Sequence, residues 1–151
     1  MRWYKLILTV FLYALPGFLL AQGWIEYLDR TLLFGVNLPG EPVVEDITYT
    51  SAHGATFPAR IYTAESGQSL YTVTVVDYTD AERIHAERED RTEAINGEWI
   101  KDVRASVAYA AWNVRKRGGE VTYDAWSDIE RVEGHQLQVT NDDQSRTYAG
   151  I

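Results

Sequence analysis

The 151-residue sequence contains no cysteine. That excludes a disulfide framework, thiol catalysis, a CxxC redox pair and thiolate metal sites. Positive charge is scarce too: 14 Lys and Arg stand against 22 Asp and Glu, a net charge of −8. Such a surface repels phosphate backbones and anionic bilayers, so nucleic acid is not an expected partner. Histidine is limited to His53, His85 and His135. Low-complexity tracts, internal repeats and long Gly/Ser/Pro linkers are also missing. What is present, 46% hydrophobic and 13% aromatic residues, is the balance of a single α+β domain. A chain of this length buries roughly 70% of its unfolded surface and needs no staples.

The first segment stands apart. Arg2 and Lys5 precede an apolar run from Leu6 to Leu20, broken late by Pro16-Gly17 and followed by Ala21-Gln22-Gly23. A basic start, an apolar stretch and small residues at a cleavage point make a secretory signal peptide, expected over residues 1–22. The alternative is an uncleaved membrane anchor, but a span of about 20 apolar residues is reached only by including Pro16, Gln22 and Gly23. Cleavage leaves no membrane span. It removes two cations, leaving 12 basic against 22 acidic residues, a net charge of −10. Absence of cysteine suits a bacterial periplasm.

Residues 23–151 read as one domain. Short alternating stretches predict strands at Phe34–Leu38, Ile47–Thr50 and Phe57–Tyr62, the last with Arg60 and Tyr62 on one side. In Leu70–Tyr78, Tyr71, Val73 and Val75 oppose Thr72, Thr74 and Val76, which predicts a sheet with one wet face. From Asp80 to Arg117 the period becomes helical, with Ile84, Ile95, Trp99, Val103, Val107, Ala110, Ala111 and Val114 on one face. Asn96-Gly97 divides this into helices of about 80–93 and 98–117, or kinks one long helix. Arg115-Lys116-Arg117 then Gly118-Gly119 is a C-terminal cap. Strands resume at Val121–Arg131, Leu137–Val139 and Ser145–Ile151, with a turn at Asn141–Gln144. A final strand ending on Ile151 suggests a truncated chain or a sheet edge.

No catalytic motif stands out. Glu82-x-x-His85 places a carboxylate and an imidazole on one helix face, but di-metal bundles need two such pairs and two more carboxylates. No cofactor or metal ligand set is expected. Asn141-Asp142-Asp143 lacks the Gly and terminal Glu of a Ca²⁺ loop. There is no Gly-x-Ser-x-Gly elbow, Ser-x-x-Lys pair or Gly-rich phosphate loop. Aromatics are the unusual feature. Large rings can fill the gap between sheet and helix. Alternatively, Trp126 beside Thr122 and Asp124, and Tyr62 beside Arg60, form a recognition surface for a protein or glycan.

With Phe34-Gly-Val-Asn-Leu-Pro-Gly-Glu-Pro42, a meander through Val76, then a helix and more strands, residues 33–151 resemble the PsbP/Mog1-like α/β-sandwich proteins. The passage Thr74-Val-Val-Asp-Tyr78 to Asp80-Ala-Glu-Arg-Ile84 is similar to exported proteobacterial proteins without an assigned activity. The resemblance implies a non-catalytic accessory or binding role and carries no catalytic residues. It also implies a C-terminal strand and helix that this chain lacks.

The expectation is therefore an α+β protein, an antiparallel sheet of six or seven strands with a helical segment over about 80–117 packed on one face. Its expected function is a non-enzymatic binding or assembly-accessory role in the bacterial envelope, most simply the periplasm. A protein partner would meet the sheet near Arg60, Tyr62, Thr72, Thr74 and Trp126. Rival expectations are an envelope hydrolase using carboxylates and His85, and a membrane-anchored accessory subunit of a larger complex.

Overall fold

A computed structural model describes residues 23–90, 97–129 and 131–151. The expected signal segment, and the part of the first expected helix beyond Asp90, lie outside these residues. The chain has the expected antiparallel α+β architecture. Its strands, however, number eight among the described residues and form three small sheets rather than one. They are β1 (Ile25–Asp29), β2 (Phe34–Leu38), β3 (Val43–Thr50), β4 (Thr56–Ser66), β5 (Ser69–Val76), β6 (Glu120–Ile129), β7 (Val132–Thr140) and β8 (Arg146–Gly150), with helices α1 (Ala81–Ala86) and α2 (Glu98–Arg115). The sheets are ordered β1-β2, β3-β4-β5 and β6-β7-β8.

The contacts divide the chain into two compact units, one holding β1, β2 and Thr63–Thr72, the other Val44–Tyr62 and Val73–Ile151. In the first, β1 and β2 pair from Ile25↔Leu38 to Asp29↔Phe34. The Asp29 carboxylate closes their turn by accepting the Thr31 and Leu32 N–H groups, each at 2.8 Å. Leu28 lies against the bare backbone of Gly35, where a Cβ would come within 2.7 Å of its Cδ2. Trp24 sets its ring edge-on to Tyr71 at 5.1 Å.

The second unit is built around α2. In β5, which passes from the first unit into the second at Val73, Tyr71, Val73 and Val75 are half-buried and Thr72 and Thr74 exposed as the alternation predicts, but Val76, expected on the wet side, is half-buried. In β4 the buried parity changes, from Phe57 and Ala59 to Tyr62 and Ala64. Phe57 forms a cluster with Ala55 and Ala81, against which Val76, Tyr78, Ile84 and Trp99 pack. α2 is covered on two sides. Asp102 and Ala111, both fully buried, are nine residues apart and so half a turn out of phase at about 3.6 residues per turn. On one side Tyr109 meets Tyr49 of β3 at 6.3 Å and Asn113 donates to its hydroxyl at 3.4 Å. On the other, α2 packs against β7, and Arg115 reaches Asp124 and His135.

β6, β7 and β8 form an antiparallel meander. Its register runs Asp124↔Leu137↔Ala149 and Tyr123↔Gln138↔Tyr148, with an irregularity between Val121 and Tyr123 that leaves Thr122 unpaired. His135, Leu137 and Val139 point to one face and are buried. Gln136, Gln138 and Thr140 alternate with them onto the opposite face. Among the described residues, no helix is long and apolar enough to cross a membrane.

Candidate functional site

Two places in the second unit concentrate polar chemistry. The first joins α1, α2 and the turn between β3 and β4. Ser51 holds that turn: its N–H donates to the Ala55 carbonyl at 2.9 Å and its hydroxyl accepts the Ala55 N–H at 3.1 Å. Gly54 supplies the positive φ of 76° that the turn requires. The turn delivers the His53 N–H to Asp102 Oδ1 at 3.3 Å, and Arg88 donates to the His53 carbonyl.

Asp102 has no exposed surface, and His85 of α1 is only 6% exposed. Their side chains meet at 2.9 Å between Nε2 and Oδ2. The carboxylate accepts, so Nε2 carries the proton. Nδ1 of His85 then lies buried with no hydrogen-bond partner among the described residues, 3.8 Å from Oε2 of Glu98. The other oxygen of Glu98 is 3.6 Å from Nδ1 of His53. The partners of His85 thus come from α2, while Glu82 on its own helix and Glu89 beyond it are exposed. Beside this pair, burial pushes the Tyr78 and Tyr49 hydroxyls up from the usual phenol range. Among the described residues, no three metal-ligating side chains converge to hold an ion.

A dyad of this kind does acid–base chemistry only if a substrate can reach it. Here the imidazole and carboxylate are closed off, and the interaction ties the six-residue α1 to α2. A second histidine does similar work at the other end of α2. Arg115 grips Asp124 through two nitrogens at 2.6 and 2.7 Å, and the ring of His135 contacts both partners. Arg115, and after it His135, hold the Asp124 carboxyl well below the usual carboxylate range. Trp126 closes this group edge-on to His135 at 4.8 Å.

Of the residues expected to form a contact surface, Arg60 and Tyr62 are brought together by a side-chain hydrogen bond. Arg60 pairs with Asp46 at 2.7 Å. Tyr62 has no exposed surface, because it falls on the buried side of β4 after the change in parity. Thr72 and Thr74 are exposed on β5. Trp126 is 56% exposed but lies on β6, in a different sheet.

The second place is one that sequence reasoning did not single out, the face of β6-β7-β8 turned away from α2. Tyr123 and Tyr148 are 52% and 69% exposed. They stand in one cross-strand row with Gln138 between them. Gln136 lies one step along β7 and donates to the Ser127 hydroxyl at 3.1 Å. The signal was there in part: Tyr148 alternates with the half-buried Thr147 and Ala149, whereas Tyr123 stands in an exposed run from Val121 to Asp124. Only the register across β7 places them in one row. Comparison with known proteins finds no matching family model, no matching curated protein and no matching solved structure.

Proposed function

We propose that this chain is an exported, non-enzymatic binding or assembly-accessory protein of the bacterial envelope, and that it makes contact through the open face of β6-β7-β8. The observation that carries the reading is the Tyr123–Gln138–Tyr148 row, solvent-facing on a sheet whose other face is occupied by α2. Tyrosine combines a large, stiff apolar ring with a polar tip, so it loses little entropy on docking and is enriched among the residues that dominate binding energy. The closed His85–Asp102 pair supports a non-enzymatic role over a hydrolase. Export is supported by the order Arg2, Lys5, Leu6–Leu20 and Ala21. The resemblance to PsbP/Mog1-like proteins implies the same accessory class.

A photo-crosslinking residue placed at 123 or 148 in the full chain, expressed with its own N-terminus, tests the reading. The expected outcome is a periplasmic chain processed near residue 22 that gives a discrete adduct from both positions and none from position 72. A chain left in the cytoplasm would reject export, and adducts from position 72 alone would reject this face.

A further inference from the structure

The Tyr123–Gln138–Tyr148 face has a definite chemistry. Along the Tyr123–Gln138–Tyr148 row and towards Ser127 its described side chains are hydroxyls, amides and small groups, and the apolar, 69% exposed Val132 closes the far end of β7. Charge enters at one end only, where Glu120 and Arg146 flank Thr140 in register on opposite edges. In a chain with 24% charged residues and a net charge of −8, such a neutral face neither attracts a polycation nor pairs with an anion. Among uncharged ligands, it matches a polyhydroxyl one. Pyranose rings offer an apolar C–H side that lies on a tyrosine ring, and their hydroxyls both donate and accept, as do the Gln amide and the tyrosine hydroxyl.

Spacing narrows the class. Adjacent strands are about 4.8 Å apart, so rings on β6 and β8 in one row are separated by roughly 9.6 Å. That is close to one disaccharide repeat of an extended β-1,4-linked chain, which brings alternate sugars over Tyr123 and Tyr148 and the intervening sugar over Gln138. The face belongs to an open sheet, so a chain can cross it and continue past both edges.

We infer that this face binds an uncharged β-1,4-linked glycan laid across the three strands, with Tyr123 and Tyr148 as stacking platforms and Gln138 as the hydrogen-bonding residue between them. The inference rests on the reading of this face as the contact surface, and it names the occupant. Glycan strands of a cell wall and free oligosaccharides share this backbone chemistry.

The test titrates the full chain with chitohexaose and cellohexaose by calorimetry and sediments it with purified peptidoglycan. Expected are saturable binding of at least one soluble hexasaccharide, little change with added salt, and a loss of about tenfold or more in Tyr123→Ala and Tyr148→Ala. Tyr148→Phe keeps the ring and retains most of the affinity. Trp126→Ala, on the other face, leaves binding unchanged. Sedimentation with peptidoglycan that soluble hexasaccharide competes away identifies the cell-wall source; binding to the free sugars alone identifies a soluble one. Absence of binding to either hexasaccharide, or equal binding by the tyrosine variants, overturns the inference. Urea unfolding of each variant confirms that exposed-face changes leave the fold intact. A crosslink from residue 148 to a protein without glycan binding would overturn the glycan while leaving the contact face standing. Absence of both would reject both readings.

Discussion

At the residue scale, the strongest constraint in the molecule is Asp102. It is the fifth residue of α2, wholly buried, and it accepts hydrogen bonds from His85 and from the His53 backbone. A carboxylate taken out of water is tolerable only while those partners remain. Conversely, removing it leaves a ring N–H and a backbone N–H stranded in a closed space. Asp102→Ala is expected to lose on the order of 3–5 kcal/mol of stability, read from urea unfolding followed by tryptophan fluorescence. Asp102→Asn keeps an acceptor and should lose less. A loss in Asp102→Ala below about 1 kcal/mol, the level of an ordinary neutral hydrogen bond, would show that the pair is not what holds α1. The exposed Arg83 pairs to Asp80 and Glu87 make the contrast, since surface ion pairs at helical spacing contribute only a few tenths of a kcal/mol.

At the scale of elements, the end of α2 shows how local sequence and tertiary packing combine. Gly118 and Gly119 have φ of 102° and 86°, a region that costs any other L-residue energy. Among the described residues nothing lies within 4 Å of a Cβ built at Gly118, whereas one at Gly119 would come within 2.6 Å of the Thr140 carbonyl oxygen. Gly118→Ala should therefore cost about 1 kcal/mol. Gly119→Ala adds a backbone clash with β7 and should cost clearly more; equal losses in denaturant midpoint would show that β7 yields freely there. The glycine pair marked the helix end in the sequence because a left-handed cap is a local demand. So was the strand Leu70–Val76 legible, since a half-wet sheet needs two-residue alternation. Less could be read where partners are distant. β1 follows so closely on the apolar run Leu6–Leu20 that its IEYLD alternation did not stand out. α2 packs on two sides, so a search for one apolar face found the Val107–Val114 side. It passed over the Asp102–Tyr109–Asn113 side, whose partners His85 and Tyr49 come from elsewhere in the chain. Tyr62 does lie beside Arg60 and hydrogen-bonds to it, but its burial was not legible for a related reason: alternation assumes that one side of a strand stays covered, and the buried parity changes within β4.

At the scale of the whole molecule, charge sets the conditions under which these elements hold together. The chain carries a net charge of −8, and −10 once residues 1–22 are set aside. At low ionic strength of about 0.01 M, charges act over roughly 30 Å. That exceeds the length of α2, whose 18 residues span about 27 Å. Each excess carboxylate then repels the others across the fold, and this opposes compaction. Salt acts in two directions. It relieves the repulsion, and it weakens surface pairs such as Arg60–Asp46 and Arg88–Asp90. Those pairs are exposed on at least one side and individually worth about 0–1 kcal/mol, and the buried His85–Asp102 pair is shielded from screening. Relief of repulsion should therefore win. Urea midpoints are expected to rise with NaCl and to level off by a few tenths molar, where the screening length has fallen to about 8 Å or less. A rise that continues linearly into molar salt would instead reflect the strengthening of apolar burial by excluded salts. A midpoint that falls with salt would mean that the surface pairs, taken together, outweigh the excess negative charge.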